Sequence, residues 1–106
     1  MISTHILDTN LGKPAKDVVV KLFSGEGYLL SQSKTNVDGR VSDFALTSLK
    51  KGDYYLEFSI GDYFKKLEIE TFFPKIVIYF SIIDITQHYH VPLLISPFSY
   101  STYRGS

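Results

Sequence analysis

Apolar and polar residues alternate along most of this chain, and the alternation is broken at short intervals by glycine, asparagine, aspartate and proline. Successive side chains of an extended backbone point to opposite faces, so a two-residue period predicts strands with one buried face. Met1 to Asp8 alternates imperfectly and runs into the turn formers Thr9-Asn10-Leu11-Gly12-Lys13-Pro14, which predicts a short strand and then a loop. His5 falls in that strand, on the side of Ser3 and Leu7. Val18 to Phe23 is rich in β-branched residues and ends at Ser24-Gly25-Glu26-Gly27, so a second strand and a hairpin follow, with Tyr28 to Lys34 as the partner strand. Thr35-Asn36-Val37-Asp38-Gly39 is a turn that delivers Arg40 to the next segment.

Ser42 to Leu49 fits a short strand or a helical turn, and Lys50-Lys51-Gly52-Asp53 closes it. Tyr54 to Phe58 alternates as a strand and is broken by Gly61-Asp62. Asp62 is then placed to cap one helical turn over Tyr63 to Lys66, followed by an extended connection. Tyr63, Phe64, Phe72 and Phe73 read as core. Lys75 to Ile83 is the clearest strand, with Ile76, Ile78, Phe80 and Ile82 on one face and Val77, Tyr79 and Ile83 on the other. Both faces are apolar, and with no long amphipathic helix to cover the outer one, the expected cover is a second copy of the chain. At the end of the chain His88, His90, Pro92 and Leu94 share one strand face, while Tyr89, Val91, Leu93 and Ile95 share the other. Ser96-Pro97-Phe98-Ser99 is a tight connection from which Tyr100 to Arg104 returns antiparallel, bringing Tyr103 and Arg104 back towards the histidines. The expectation is an all-β sandwich of about seven or eight strands with one short helix, over a single domain spanning residues 1–106.

Composition narrows the partners. Eleven basic and eleven acidic side chains cancel, and no basic run is long, which argues against nucleic acid or an anionic membrane surface. No cysteine is present, so disulfides, thiolate metal sites and cysteine nucleophiles are excluded. The first residues lack a basic segment followed by an apolar block, and no run is long enough to span a bilayer, so a soluble, cytoplasmic protein is expected.

The inventory of reactive groups is short: His5, His88, His90, Arg40 and the hydroxyls near the end of the chain. No nucleophile-elbow motif is present. The His88-x-His90 pair suits zinc or copper, with His5 as a third ligand, but no spacing signature supports that third ligand. The metal-free alternative uses imidazole as acid and base and Arg40 as an anion holder, with no metal or cofactor. A lone strand histidine is ordinarily structural, and Arg40 could be a solvated charge beside a turn; the histidine pair weakens the first of these readings.

Four blocks in order carry a resemblance. They are Thr4-His5-Ile6-Leu7-Asp8, Thr35-Asn36-Val37-Asp38-Gly39-Arg40, His88-Tyr89-His90-Val91-Pro92-Leu93-Leu94 and the closing Tyr103-Arg104-Gly105-Ser106. Together they resemble the 5-hydroxyisourate hydrolases, the transthyretin-related enzymes of urate breakdown, over essentially the whole chain. Transthyretin itself shares the fold but lacks the histidine pair and the Tyr-Arg-Gly-Ser ending. The resemblance implies a transthyretin-like two-sheet sandwich, a homotetramer built as a dimer of dimers, and sites in the channel between dimers. It further implies hydrolytic opening of 5-hydroxyisourate, with His5, Arg40 and His90 at the catalytic positions. Tyr103 matches a substrate-contacting position, and His88, Arg104 and Ser106 take a second rank. The alternative is a transthyretin-type carrier that binds a small ligand without turnover.

Overall fold

The computed structural model describes residues 1–106 and forms two stacked sheets with one short helix. The imperfect alternation at the start of the chain becomes β1 (Ile2–Asp8), an interior strand of the first sheet. Ile2 and Ile6 enter the core, while Ser3, His5 and Leu7 share the outer face. β1 pairs antiparallel with β2 (Lys13–Pro14) and with β5 (Arg40–Val41), two-residue strands that their turn-forming surroundings concealed. On its other side it pairs in parallel with β8 (Tyr89–Ser96), which is followed by β9 (Ser99–Thr102) in antiparallel register. The second sheet runs β4-β3-β6-β7, with β3 (Val19–Ser24), β4 (Leu29–Lys34), β6 (Gly52–Phe58) and β7 (Ile76–Ile82), all antiparallel.

The strand total is nine, because β2 and β5 add to the seven longer strands. The segment Ser42 to Leu49 forms neither strand nor helix; Phe44 is buried and Ala45 takes a φ of 55°, which interrupts any regular run. The helix α1 (Ile60–Lys66) begins at Ser59, earlier than the Asp62 cap expected from sequence. Ile60 and Phe64, one turn apart, bury its inner face, and this burial sets the start of the helix. Gly61 lies inside the helix and permits a close crossing, since a Cβ there would stand 2.8 Å from the Pro74 carbonyl oxygen. Asp62 in the first turn and Lys65 and Lys66 in the last complement the helix dipole.

Phe58, Phe64, Leu56, Leu22, Leu93 and Ile95 are among the fully buried side chains between the sheets. Tyr63 and Phe73 pack partly against this core and Phe64 is inside it, but Phe72 is 72% exposed, a correction to its reading as core. Two buried polar groups tie the loops down. Asp8 accepts hydrogen bonds from the Asn10 and Leu11 amides and from the Tyr63 hydroxyl, and Thr35 accepts from the Val18 amide and donates to the Ala15 carbonyl. On β7, Val77 and Tyr79 face outward at 43% and 65% exposure, and β7 and β9 are unpaired edge strands of their sheets. No helix is long and apolar enough to cross a membrane.

Candidate active site

The parallel pairing of β1 with β8 brings the two ends of the chain side by side, setting Ser3 opposite His90 and His5 opposite Pro92. On the other flank of β1, the register sets Arg40 opposite His5. Residues paired across neighbouring strands share a face, so Ser3, His5, Arg40, His90 and Pro92 lie together on the outer face of the first sheet. This is the face opposite the core-facing Ile2, Ile6, Val91 and Leu93.

A turn bonded to β1 positions Arg40. The Asn36 carboxamide oxygen accepts from the amides of Asp38 and Arg40, at 2.9 and 3.0 Å, and the Gly39 carbonyl accepts from the Ile6 amide at 2.8 Å. Gly39 has a φ of +72°, and a Cβ there would lie 2.5 Å from the Ile6 carbonyl oxygen. Only glycine supplies both the left-handed conformation and this close approach. The turn therefore seats Arg40 beside His5 while leaving its side chain exposed.

The histidine pair is held by a group with no evident signature in the sequence. The Ser3 hydroxyl lies 2.7 Å from His88 Nε2 and 2.7 Å from His90 Nδ1, and Ser3 is only 4% exposed. The ring centroids are 6.1 Å apart, with their planes inclined by 52°. The one available signal was alternation, which put Ser3 on the side of His5. The other edge of the His90 ring is closed by the end of the chain. The Gly105 amide donates to the His90 carbonyl at 2.9 Å, and a Cβ on Gly105 would stand 2.5 Å from His90 Cδ2 and 3.0 Å from Pro92 Cγ.

The pairing that sets Leu93 opposite Thr102 and His90 opposite Gly105 separates the other terminal residues. Tyr103 follows β9 and is 61% exposed. Arg104 falls on the face opposite the histidines, where its guanidinium lies 4.7 Å over the Tyr89 ring and donates to the Gln87 side-chain oxygen at 2.9 Å. Ser106 is exposed. A cleft of about 330 Å³ opens between this tail and β7, lined in part by His90, Tyr103, Arg104 and Tyr79. A larger cleft, about 570 Å³, lies between Ser24 and the Ala45 to Tyr54 segment and is lined by neither histidine nor arginine.

Burial and the Arg40 guanidinium hold the His90 ring below the ordinary histidine value of 6.5, and His88 and His5 add to the effect. Burial and Arg40 also depress His5, while Asp38 pulls the other way through its backbone and its carboxylate. Both shifts favour the neutral ring, the form able to accept a proton. No three His, Cys, Asp or Glu side chains come together in a group that could hold a metal ion.

The model of the HIUase/Transthyretin family matches residues 2–105. The 5-hydroxyisourate hydrolase of Halalkalibacterium halodurans is 45% identical, over 99% of this chain and 97% of that protein. That of Mus musculus is 41% identical, over 99% and 94%. Among solved structures, Klebsiella pneumoniae 5-hydroxyisourate hydrolase superposes with a TM-score of 0.91 at 42% identity, covering 99% of this chain and 98% of that one. Transthyretin from Sparus aurata superposes with a TM-score of 0.90 at 25% identity, covering 98% and 95%.

Proposed function

This chain belongs to the HIUase/Transthyretin family, and on that premise we propose that it hydrolyses 5-hydroxyisourate, opening the ring to 2-oxo-4-hydroxy-4-carboxy-5-ureidoimidazoline in urate breakdown. The observation that carries this reading is the convergence of His5, Arg40 and His90 on one sheet face, drawn from three strands, with the pKa of both imidazoles held below the ordinary histidine value. Water attacking a ring carbonyl must lose a proton as an oxyanion forms, so a base and a cationic or N–H partner are the parts required. His90, gripped between Ser3 and Gly105, is the base in this proposal. His5 is a second imidazole facing the substrate, and Arg40 aligns the planar anion through paired hydrogen bonds. Tyr103 flanks the substrate; His88, Arg104 and Ser106 support the wall. The chemistry calls for no cofactor.

The direct test is the decay of 5-hydroxyisourate absorbance with and without the protein. Decay accelerated in proportion to enzyme is expected; an unchanged decay would leave a non-catalytic ligand carrier as the better account.

The same proposal includes a homotetramer, a dimer of dimers. Its support is the pair of unpaired edges, β7 and β9, and the exposed apolar Val77 and Tyr79 beside them. Light scattering at micromolar concentration should give four times the chain mass, and a monomer would rule the assembly out.

Gly105 offers a sharper local test. Its missing side chain is what allows the tail to press against His90, so Gly105→Ala must push the ring aside. A displacement of about 1 Å costs on the order of 10²-fold in rate. We expect a loss of that size in kcat/KM with an unchanged circular dichroism spectrum, and full activity would show that the tail does not position the ring.

A further inference from the structure

We infer that Ser3 is a positioning residue that orders the protons of His88 and His90 and lets the charge collected by His90 pass to His88. This rests on the hydrolase reading, in which His90 accepts a proton from water. The Ser3 hydroxyl bridges His90 Nδ1 and His88 Nε2 at 2.7 Å each, from a position only 4% exposed. A hydroxyl has one proton to give. One ring must therefore receive that proton while the other donates its own, so the tautomers of the two histidines are locked together. One of the two orderings leaves a lone pair on His90 Nε2. In it, His90 Nδ1–H donates to Ser3 Oγ, and Ser3 Oγ–H donates to His88 Nε2.

The transfer balances. The O–H bond of the attacking water breaks and its proton goes to His90 Nε2, while the water oxygen bonds to the ring carbonyl carbon and the carbonyl π pair moves onto its oxygen. The His90 Nδ1 proton passes to Ser3 Oγ as the Ser3 hydroxyl proton passes to His88 Nε2. His90 ends neutral in its other tautomer, Ser3 is unchanged, and the positive charge rests on His88. The surroundings favour that direction. His90 is half-buried and feels the Arg40 guanidinium from β5 and His5 from β1, whereas His88 is exposed to solvent, which stabilises a cation. Asp38 acts on His5, Arg104 is turned to Tyr89 on the opposite face, and no carboxylate hydrogen-bonds either bridged ring.

Two variants and one spectrum test the bridge. Ser3→Ala should lower kcat on the order of 10–10²-fold with KM within about twofold, because proton transfer and not binding is lost. His88→Gln, at an exposed position, keeps an acceptor for Ser3 but cannot relay a proton, and should show a similar loss. The double variant should fall no further than either single one, and Ser3→Thr should restore most of the rate. Two-bond ¹H–¹⁵N spectra of the folded wild type at alkaline pH should show both rings as Nδ1–H tautomers, an ordering that Ser3→Ala abolishes. Unchanged kcat, independent losses that multiply, or the opposite tautomers in the wild type would overturn the inference. If Ser3→Ala fails to fold, His88→Gln and the wild-type spectrum still decide. If the wild type has no turnover, the hydrolase reading falls, and the bridge stands or falls on whether its tautomers change in Ser3→Ala.

Discussion

His90→Asn is expected to reduce kcat/KM on the order of 10²–10⁴-fold, the usual contribution of a positioned acid or base, with fold and assembly intact. The fold should survive because His90 points to the outer sheet face and makes no part of the buried core, which on β8 is built from Tyr89, Val91, Leu93 and Ile95. Asparagine keeps a hydrogen-bonding group near Ser3 but offers no basic nitrogen. His5→Asn should lose activity over the same range, on the order of 10²–10⁴-fold, without acting through Ser3, whose hydroxyl is hydrogen-bonded to His88 and His90. The pH profile gives an independent check with a definite sign. Burial and Arg40 lower the His90 pKa from 6.5, so the acid limb of kcat/KM, which reports the free enzyme, should have its midpoint below 6.5. Activity is full above that midpoint, where the ring is neutral, and falls as acidification protonates it. Both Asn variants fully active while folded, or an acid limb above the ordinary histidine range, would show that these rings are structural.

Arg40→Lys is expected to cost about 2–4 kcal/mol of transition-state stabilisation, the scale for removing one oxyanion donor. Charge is conserved in this variant, so a mere surface cation beside a turn should tolerate it. A planar guanidinium holding an anionic, planar substrate through two parallel hydrogen bonds should not, because an ammonium is a point charge without the fork. The position of Arg40 does not depend on its side chain: the Asn36 carboxamide holds the turn together through the Asp38 and Arg40 amides, and the Gly39 carbonyl ties it to the Ile6 amide of β1. The Lys variant should therefore fold normally, and its loss can be read in kcat/KM alone. Unchanged catalytic efficiency would remove Arg40 from the site.

The outline of the sandwich was legible because strands carry a local signature. The long strands announce themselves locally: β3 by its β-branched residues, β4 as the partner across the glycine-rich hairpin, β6 and β8 by alternation, and β7 by a run apolar on both faces. The irregular parts were less legible. β2 and β5 are two residues long, too short for any period, and exist because β1 presents a free edge to pair with them. The helix start was displaced because the burial of Ile60 and Phe64 outweighs the capping preference of Asp62. Phe72 lies outside the core although its composition suits the inside, since the connection after α1 runs over the surface there.

For the candidate site, the sequence by itself put forward the candidate residues and determined which of them share a strand face. Alternation put His88 and His90 on one side of their strand and Ser3 and His5 on one side of theirs, and the four blocks carried the family resemblance that the comparisons bore out. Only the tertiary structure decided that these two faces are one. The parallel pairing of β1 with β8 joins residues more than eighty positions apart, and nothing in the local pattern of either strand encodes its partner. It also decided that Ser3 bridges the imidazoles, that Gly105 closes on His90, and that Arg104 turns away towards Tyr89. The physical reason is one of range. Side-chain direction follows from backbone geometry over a few residues, whereas register between distant strands is a choice made by the whole core when both apolar faces are buried together.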